Sequence, residues 1–428
     1  MKLLAVVASI LFFISVSFAQ TMPKDADPAL WAKALKIHKQ AIVVDGHNDI
    51  TSPLVDEDTD LRTSTVGNFH LGGDPFHTDI ARLKAGGVTG EFFAIYVSGS
   101  TMKTGGAMRR AMDMIDATNR EVERNPDSFT SCTTAAEIRR AKKQKKICVL
   151  MGIEGGYVIE DSLYALRNFY RMGVRYMTLT HNVATNWADA HRDERHGGLT
   201  EFGKEVVREM NRLGMFIDIS HVSVKTMNDA LDVTTAPVIA SHSSARGVND
   251  HTRNVPDEVL NRVAKNGGVI MINFLPAFLD ARVAKESGER SVKLRDQVAA
   301  IRERHKGDQR AIDEAIRKLE EANPIYSVNV SRIVDHIDHI KKITGSIDNI
   351  GLGSDFDGVP NLPDGMNGAE DMVQVTYEML KRGYSETDIK KVLGENLLRA
   401  MSQMEKVAGN RQISGSGSLK KLTPPKVN

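Results

Sequence analysis

The feature that most constrains this chain is a recurrent pairing. A short apolar run ends in a histidine or an acid, a helix-like segment follows, and the pattern returns. Its first instance is the run Ala41–Val44, which leads into Asp45-Gly46-His47-Asn48-Asp49. The β-branched residues Ile42, Val43 and Val44 predict a short buried strand. Side chains alternate along an extended chain, so His47 and Asp49 point the same way. An imidazole and a carboxylate so placed suit one divalent ion. Alone, the motif reads equally well as a polar turn.

Seven further strand-like runs follow: Glu91–Val97, Ile147–Ile153, Val174–Thr180, Met215–Ser220, Pro237–Ser241, Val269–Asn273 and Asn349–Gly353. Helical periodicity separates them, as in Ala107–Arg124, Glu201–Leu213 and Val328–Lys342. Residues 51–76 read as an irregular loop. Alternating strands and helices predict an α/β fold, a (β/α)8 TIM barrel. An open doubly wound sheet alternates too, but no Gly-x-Gly-x-x-Gly follows the first strand. Residues 280–323 break the rhythm. Their apolar positions Leu294, Val298, Ile301, Ile312, Ile316 and Leu319 predict a charged helical insertion over the barrel mouth or its side.

The flanks have a different character. Residues 1–19 are apolar after Lys2 and end in Ser17-Phe18-Ala19, the pattern of a cleavable signal peptide. The expectation is an exported protein, periplasmic or secreted, with no membrane anchor. Residues 20–34 form a linker, within which a helix-like segment begins at Leu30. The barrel spans 35–407, and 408–428 read as a disordered tail rich in Ser, Gly, Lys and Pro. A net charge of +1 with interspersed signs gives no reason to expect nucleic acid. The two cysteines, Cys132 and Cys148, leave a disulfide or two buried thiols open; thiols are the preferred reading.

The chemistry-bearing residues fall at the C-terminal ends of these strands. His47 and Asp49 follow the first, Glu154 the third, His181 the fourth, His221 the fifth, His242 the sixth and Asp355 the eighth. In a barrel these ends converge on one mouth, where active sites lie. The set suits two metal ions about 3.5–4 Å apart that share a bridging carboxylate and a hydroxide nucleophile. Glu154 is the natural bridge, with His47 and Asp49 on one ion and His221 and His242 on the other. Asp355 would serve as general base and acid. His181 would face the developing oxyanion. Arg253, after the sixth strand, offers a fork for a substrate carboxylate.

Eight motifs in order carry a resemblance: Asp-Gly-His-Asn-Asp, His77-Thr-Asp-Ile, Gly-Ile-Glu154-Gly-Gly, Arg175-Tyr-Met-Thr-Leu-Thr-His181-Asn, Asp-Ile-Ser-His221, Ser-His242-Ser-Ser-Ala, Arg253-Asn-Val-Pro and Gly-Ser-Asp355-Phe-Asp-Gly. Together they resemble the membrane dipeptidase (renal dipeptidase-like) family of the amidohydrolase barrels, over about residues 35–405. The resemblance implies two zinc ions, one on His47, Asp49 and Glu154, the other on Glu154, His221 and His242. It implies substrate contacts from His181 and Arg253, Asp355 as the catalytic aspartate, and hydrolysis of dipeptides, including those ending in a D residue. It also implies a possible homodimer. No position of the site is substituted. The insertion at 280–323 is longer than in the animal enzymes, and their lipid-anchor tail is missing. Two other readings stay open: a related amidohydrolase acting on an N-acyl amino acid or a lactam, and a binding protein that has lost catalysis.

Overall fold

Among the described residues nine short parallel strands alternate with helices: β1 (Val43–Asn48), β2 (Val88–Tyr96), β3 (Phe129–Ser131), β4 (Ile147–Glu154), β5 (Val174–Thr178), β6 (Phe216–Asp218), β7 (Ile239–Ala240), β8 (Val269–Ile272) and β9 (Ile350–Leu352). The computed structural model describes Gln20, residues 22–412, and 417, 418, 420 and 422. The signal-peptide reading of 1–19 lies outside them, as does most of the tail.

The strand order is β2-β1-β9-β8-β7-β6-β5-β4-β3, and β2 also pairs with β4. That pairing, from Gly90 opposite Cys148 to Tyr96 opposite Glu154, closes eight strands into the expected TIM barrel. β3 is the ninth strand, which the sequence reading lacked. It pairs with residues 147–149 of β4, whereas β5 pairs with 151–154. The two therefore share one edge of β4, with β3 at its N-terminal end.

The pleat decides which residues see the lumen. On β4, Cys148 and Leu150 join Val44, Phe92, Tyr176, Phe216 and Met271 in one buried cluster. Val149, Met151 and Ile153 belong to the other cluster, shared with the surrounding helices. Period two then carries the inward column through Gly152 to Glu154 at the mouth. A Cβ on Gly152 would lie 1.9 Å from the Tyr176 ring, so the column narrows to glycine there. Leu397, Met401 and Met404 of the helix Asn396–Gln412 join the lumen cluster from the opposite end.

Three readings change. The preferred free thiols are wrong: Cys132 and Cys148 form a disulfide, their Cα atoms 5.6 Å apart. The pairing of β3 with β4 brings them together, and β3 was not visible in the sequence. Thr51–Asp56, placed in a loop, is a helix. The last helix continues to Gln412, past the boundary at 407. At the tail, Arg167 donates to the Ser418 carbonyl (3.0 Å), and Lys420 pairs with Glu205 (3.0 Å).

The insertion is helical, as its periodicity predicts. Helices Ala281–Arg304 and Gln309–Glu321 bury only Val283, Leu294 and Ile312. They rest on the 57–76 loop, where Gly72 donates to Asp313 (2.8 Å) and Arg317 stacks on Phe69. His336 fixes the stem beside it. Its Nδ1 accepts from the Ala245 amide and its Nε2 donates to the Leu279 carbonyl, both at 3.0 Å.

Candidate metal and substrate site

Glu154 sits at the centre of the mouth, and its two oxygens face different partners. Oε2 lies 3.4 Å from His47 Nε2. Oε1 lies 2.9 Å from His221 Nε2, 3.3 Å from His242 Nε2 and 3.8 Å from His181 Nε2. Asp49 Oδ2 is 3.2 Å and Asp355 Oδ1 3.9 Å from His47 Nε2. All seven residues predicted from the strand ends thus meet in one place. Gly155 (φ 105°) turns the chain away directly after Glu154, a conformation that favours glycine.

The far sides of the rings decide which nitrogen atoms carry protons. Asp218 accepts from Thr178 Oγ1 (2.5 Å), Ser241 Oγ (2.6 Å), and the amides of Ser220 (3.0 Å) and Ser241 (2.9 Å). With its proton given to Asp218, Ser241 Oγ must accept from His242 Nδ1 at 2.7 Å. His221 Nδ1 donates to the Asn182 side-chain oxygen at 3.1 Å. Both Nε2 atoms are therefore bare lone pairs, and they face each other 2.8 Å apart. His47 Nδ1 bonds the Tyr176 hydroxyl at 2.7 Å, and its buried Nε2 has no hydrogen-bond partner.

Such a set fits divalent cations. The His221 and His242 lone pairs converge with the Asp49 and Glu154 carboxylates, and hydrogen bonds on the far side of the two rings aim them. Electrostatics point the same way. Burial opposes ionisation of Glu154, yet the surrounding imidazoles, His47 and His181 foremost, hold its carboxyl well below the usual range. Burial and then the Glu154 charge push Asp49 up to about 7. Burial pulls His47 down, but Tyr176, Glu154 and Asp49 raise it well above an ordinary histidine. The acids thus draw positive charge to the spot a cation would take. Three-residue sets capable of holding an ion include His47-Asp49-Glu154 and Glu154-His181-His221.

The backbone is strained here. His221 (φ 64°), Asp355 (φ 66°) and Asp357 (φ 60°) adopt the left-handed region without being glycine. Asp45 plays on β9 the part Asp218 plays on β7. It accepts from the Ser354 amide (2.8 Å) and hydroxyl, and so positions Asp355. Asn273 Nδ2 donates to Asp355 Oδ2 at 2.7 Å.

A cavity of about 600 Å³ opens over this cluster. Arg253 is buried in its wall, held by Ser243 Oγ (3.0 Å) and the His242 carbonyl (3.2 Å), while its Nε has no partner. Burial lowers its pKa to about 10. Tyr96, Asn182, His191, Arg192, His251 and Phe278 also line the cavity and were missed. Most lie in loops, where no periodicity marks them. Asp45 and Asp218 carried a faint signal, since each precedes a strand-end histidine.

The comparisons with known proteins agree with this geometry. A probable dipeptidase, PvdM, from Pseudomonas aeruginosa superposes with a TM-score of 0.73 at 24% identity, over 90% of this chain and 100% of that one. At that identity it supports the fold alone. A metallo peptidase from Rhodobacter sphaeroides, solved with a phosphinate mimic of the dipeptide L-Ala-D-Ala, gives 0.67 at 26%, over 85% and 99%. A dipeptidase described as a metallo peptidase gives 0.66 at 25%, over 85% and 98%. The family description "Membrane dipeptidase (Peptidase family M19)" matches residues 31–415. With a cation-seeking cluster at the mouth of a closed barrel and a family match over nearly its whole length, the chain belongs to the membrane dipeptidase family and is a metal-dependent peptide-bond hydrolase.

Proposed function

We propose that this protein is an exported dipeptidase that uses two zinc ions and accepts a D residue at the C-terminal position of its substrate. One observation carries the reading: bare imidazole lone pairs surround Glu154 in the same cavity as a buried guanidinium. Imidazole and carboxylate suit zinc. His47, Asp49 and Glu154 would hold one ion, and Glu154, His221 and His242 the other. The leader-like residues 1–19 support export. Among the described residues no helix is long and apolar enough to cross a membrane. The Rhodobacter relative's dipeptide mimic supports acceptance of a D residue.

The bound ions would supply an activated water at neutral pH and polarise the scissile carbonyl. The side chains do the rest. Arg253 receives the substrate carboxylate and sets how far the peptide enters. Because Asn273 occupies Asp355 Oδ2, the free Oδ1 takes the proton from the attacking water and returns it to the leaving amine. His181 Nε2–H donates to the carbonyl oxygen as negative charge develops there. A C–O bond forms, the C–N bond breaks, and the amine departs neutral.

The test is release of free amino acid from L-Ala-D-Ala by the mature protein, before and after chelation and zinc add-back. Turnover should be lost on chelation and return with zinc. Asp355→Asn should keep its metal and lose about 10²–10⁴-fold in kcat. Wild-type turnover by that variant would remove Asp355 from the mechanism. Turnover on N-acyl amino acids but not on dipeptides would favour the other-amide reading.

A further inference from the structure

Arg192 lines the same cavity as Arg253. Among the described residues it has no carboxylate partner. Its surroundings explain why it needs one. His191 Nε2 donates to the Asn182 side-chain oxygen (3.1 Å), so His191 Nδ1 must accept, and the Thr252 hydroxyl supplies that proton at 2.8 Å. Thr252 Oγ1 is then free to accept from Arg192 Nε at 3.3 Å. The other neighbour is His251. Its Nδ1 faces the Arg253 amide at 3.2 Å. Arg192 Nη2 lies 3.2 Å from His251 Nε2, so the one ring is shared between the Arg192 guanidinium and the Arg253 amide. A neutral imidazole has one acceptor nitrogen, so His251 can satisfy only one of the two donors that face it. Burial, then the charges of Arg192 and Arg253, push His251 down to about 4, which keeps it neutral. Thr252 thus fixes the inner edge of the guanidinium, and among the described residues no carboxylate faces its outer edge.

We infer that Arg192 reads a second carboxylate on the substrate, and that the preferred dipeptides carry an acidic side chain on the C-terminal residue. The inference rests on the dipeptidase reading above. With the main-chain carboxylate at Arg253, the nearest further carboxylate belongs to the side chain of that same residue. Arg192 is close by, since the His251 ring meets both its Nη2 and the Arg253 amide. Arg192 is exposed, so its contribution is screened by salt.

The experiment compares kcat/KM of the zinc-loaded enzyme on L-Ala-D-Glu, L-Ala-D-Gln and L-Glu-D-Ala. Glutamate and glutamine have the same shape, so their ratio isolates charge. The expected result is a D-Glu over D-Gln preference of about tenfold, expressed mainly in KM and shrinking with added salt. In Arg192→Ala the ratio should fall to about one, in Arg192→Lys it should persist in part, and in Arg192→Glu it should invert. A wild-type ratio near one, an unchanged ratio in Arg192→Ala, or an equal gain on L-Glu-D-Ala would each overturn the assignment. No turnover on any dipeptide would instead overturn the dipeptidase reading, and this inference with it.

Discussion

The barrel mouth and the inserted hairpin are both rich in charge, and they handle it in opposite ways. At the mouth, acids and imidazoles are buried, clustered and short of donors. Three of the residues there hold strained backbone. In the hairpin, charges are exposed and paired along the helix, as in Arg282–Glu286, Glu314–Lys318 and Arg317–Glu321. Exposed pairs of this kind contribute little each. Buried groups without partners are costly, and they persist where a ligand supplies what the chain withholds. Charge density alone thus does not mark a site. What marks it is charge that the protein leaves uncompensated.

The largest effect should come from the centre of the uncompensated region. Glu154→Gln removes the one carboxylate that faces both groups of ligands. It should lower kcat/KM by about 10³-fold or more and reduce the metal content together with activity. Metal analysis of the purified variant beside its kinetics checks this. A variant that kept two ions and most of its turnover would show that the mouth is not organised around Glu154.

A middle-sized effect should come from buried histidines that are compensated and stay neutral. Burial lowers His336 to about 4, despite its bond to the Leu279 carbonyl, against 6.5 for an ordinary histidine. Between those values the unfolded chain binds a proton that the folded one refuses, so stability rises with pH. The contribution is complete above pH 6.5 and is lost as pH falls toward 4. By linkage it amounts to about 3 kcal/mol. Urea midpoints of wild type and His336→Gln at pH 7.5 and pH 4.5 measure it, and the variant should show the weaker dependence. Equal slopes would mean that His336 takes its proton without disturbing Ala245 and Leu279.

The mouth was more legible in sequence than its support. Each strand-end residue follows a short apolar run that reads as a buried strand, so His47, Glu154, His221, His242 and Asp355 could be placed at one mouth without coordinates. Helical periodicity gave the insertion for the same reason. β3 has three residues, too few to show a period, and without it the Cys132–Cys148 pairing had no visible cause. The groups that aim the ligands, Tyr176, Asn182 and Asn273, contact residues 129, 39 and 82 positions away. No local pattern records such a contact. The same holds for Arg192 and His251, whose meaning depends on which nitrogen of a neighbouring ring holds a proton.

The smallest effect should come from the compensated region, and it sharpens the contrast by being small. Glu314→Ala removes a pair with Lys318 (2.6 Å) in which both side chains are mostly exposed. The pair runs from acid to base along the helix, the favourable direction, but water and salt screen it. Tm should move by about 1 °C or less. kcat/KM should hold, because no residue of 280–323 lines the cavity. A thermal melt and one kinetic run on the same preparation suffice. A loss of activity without a loss of stability would mean that the hairpin acts on the mouth through the 57–76 loop. The physical route would be the His70–Asp357 contact at 3.1 Å, two residues from Asp355.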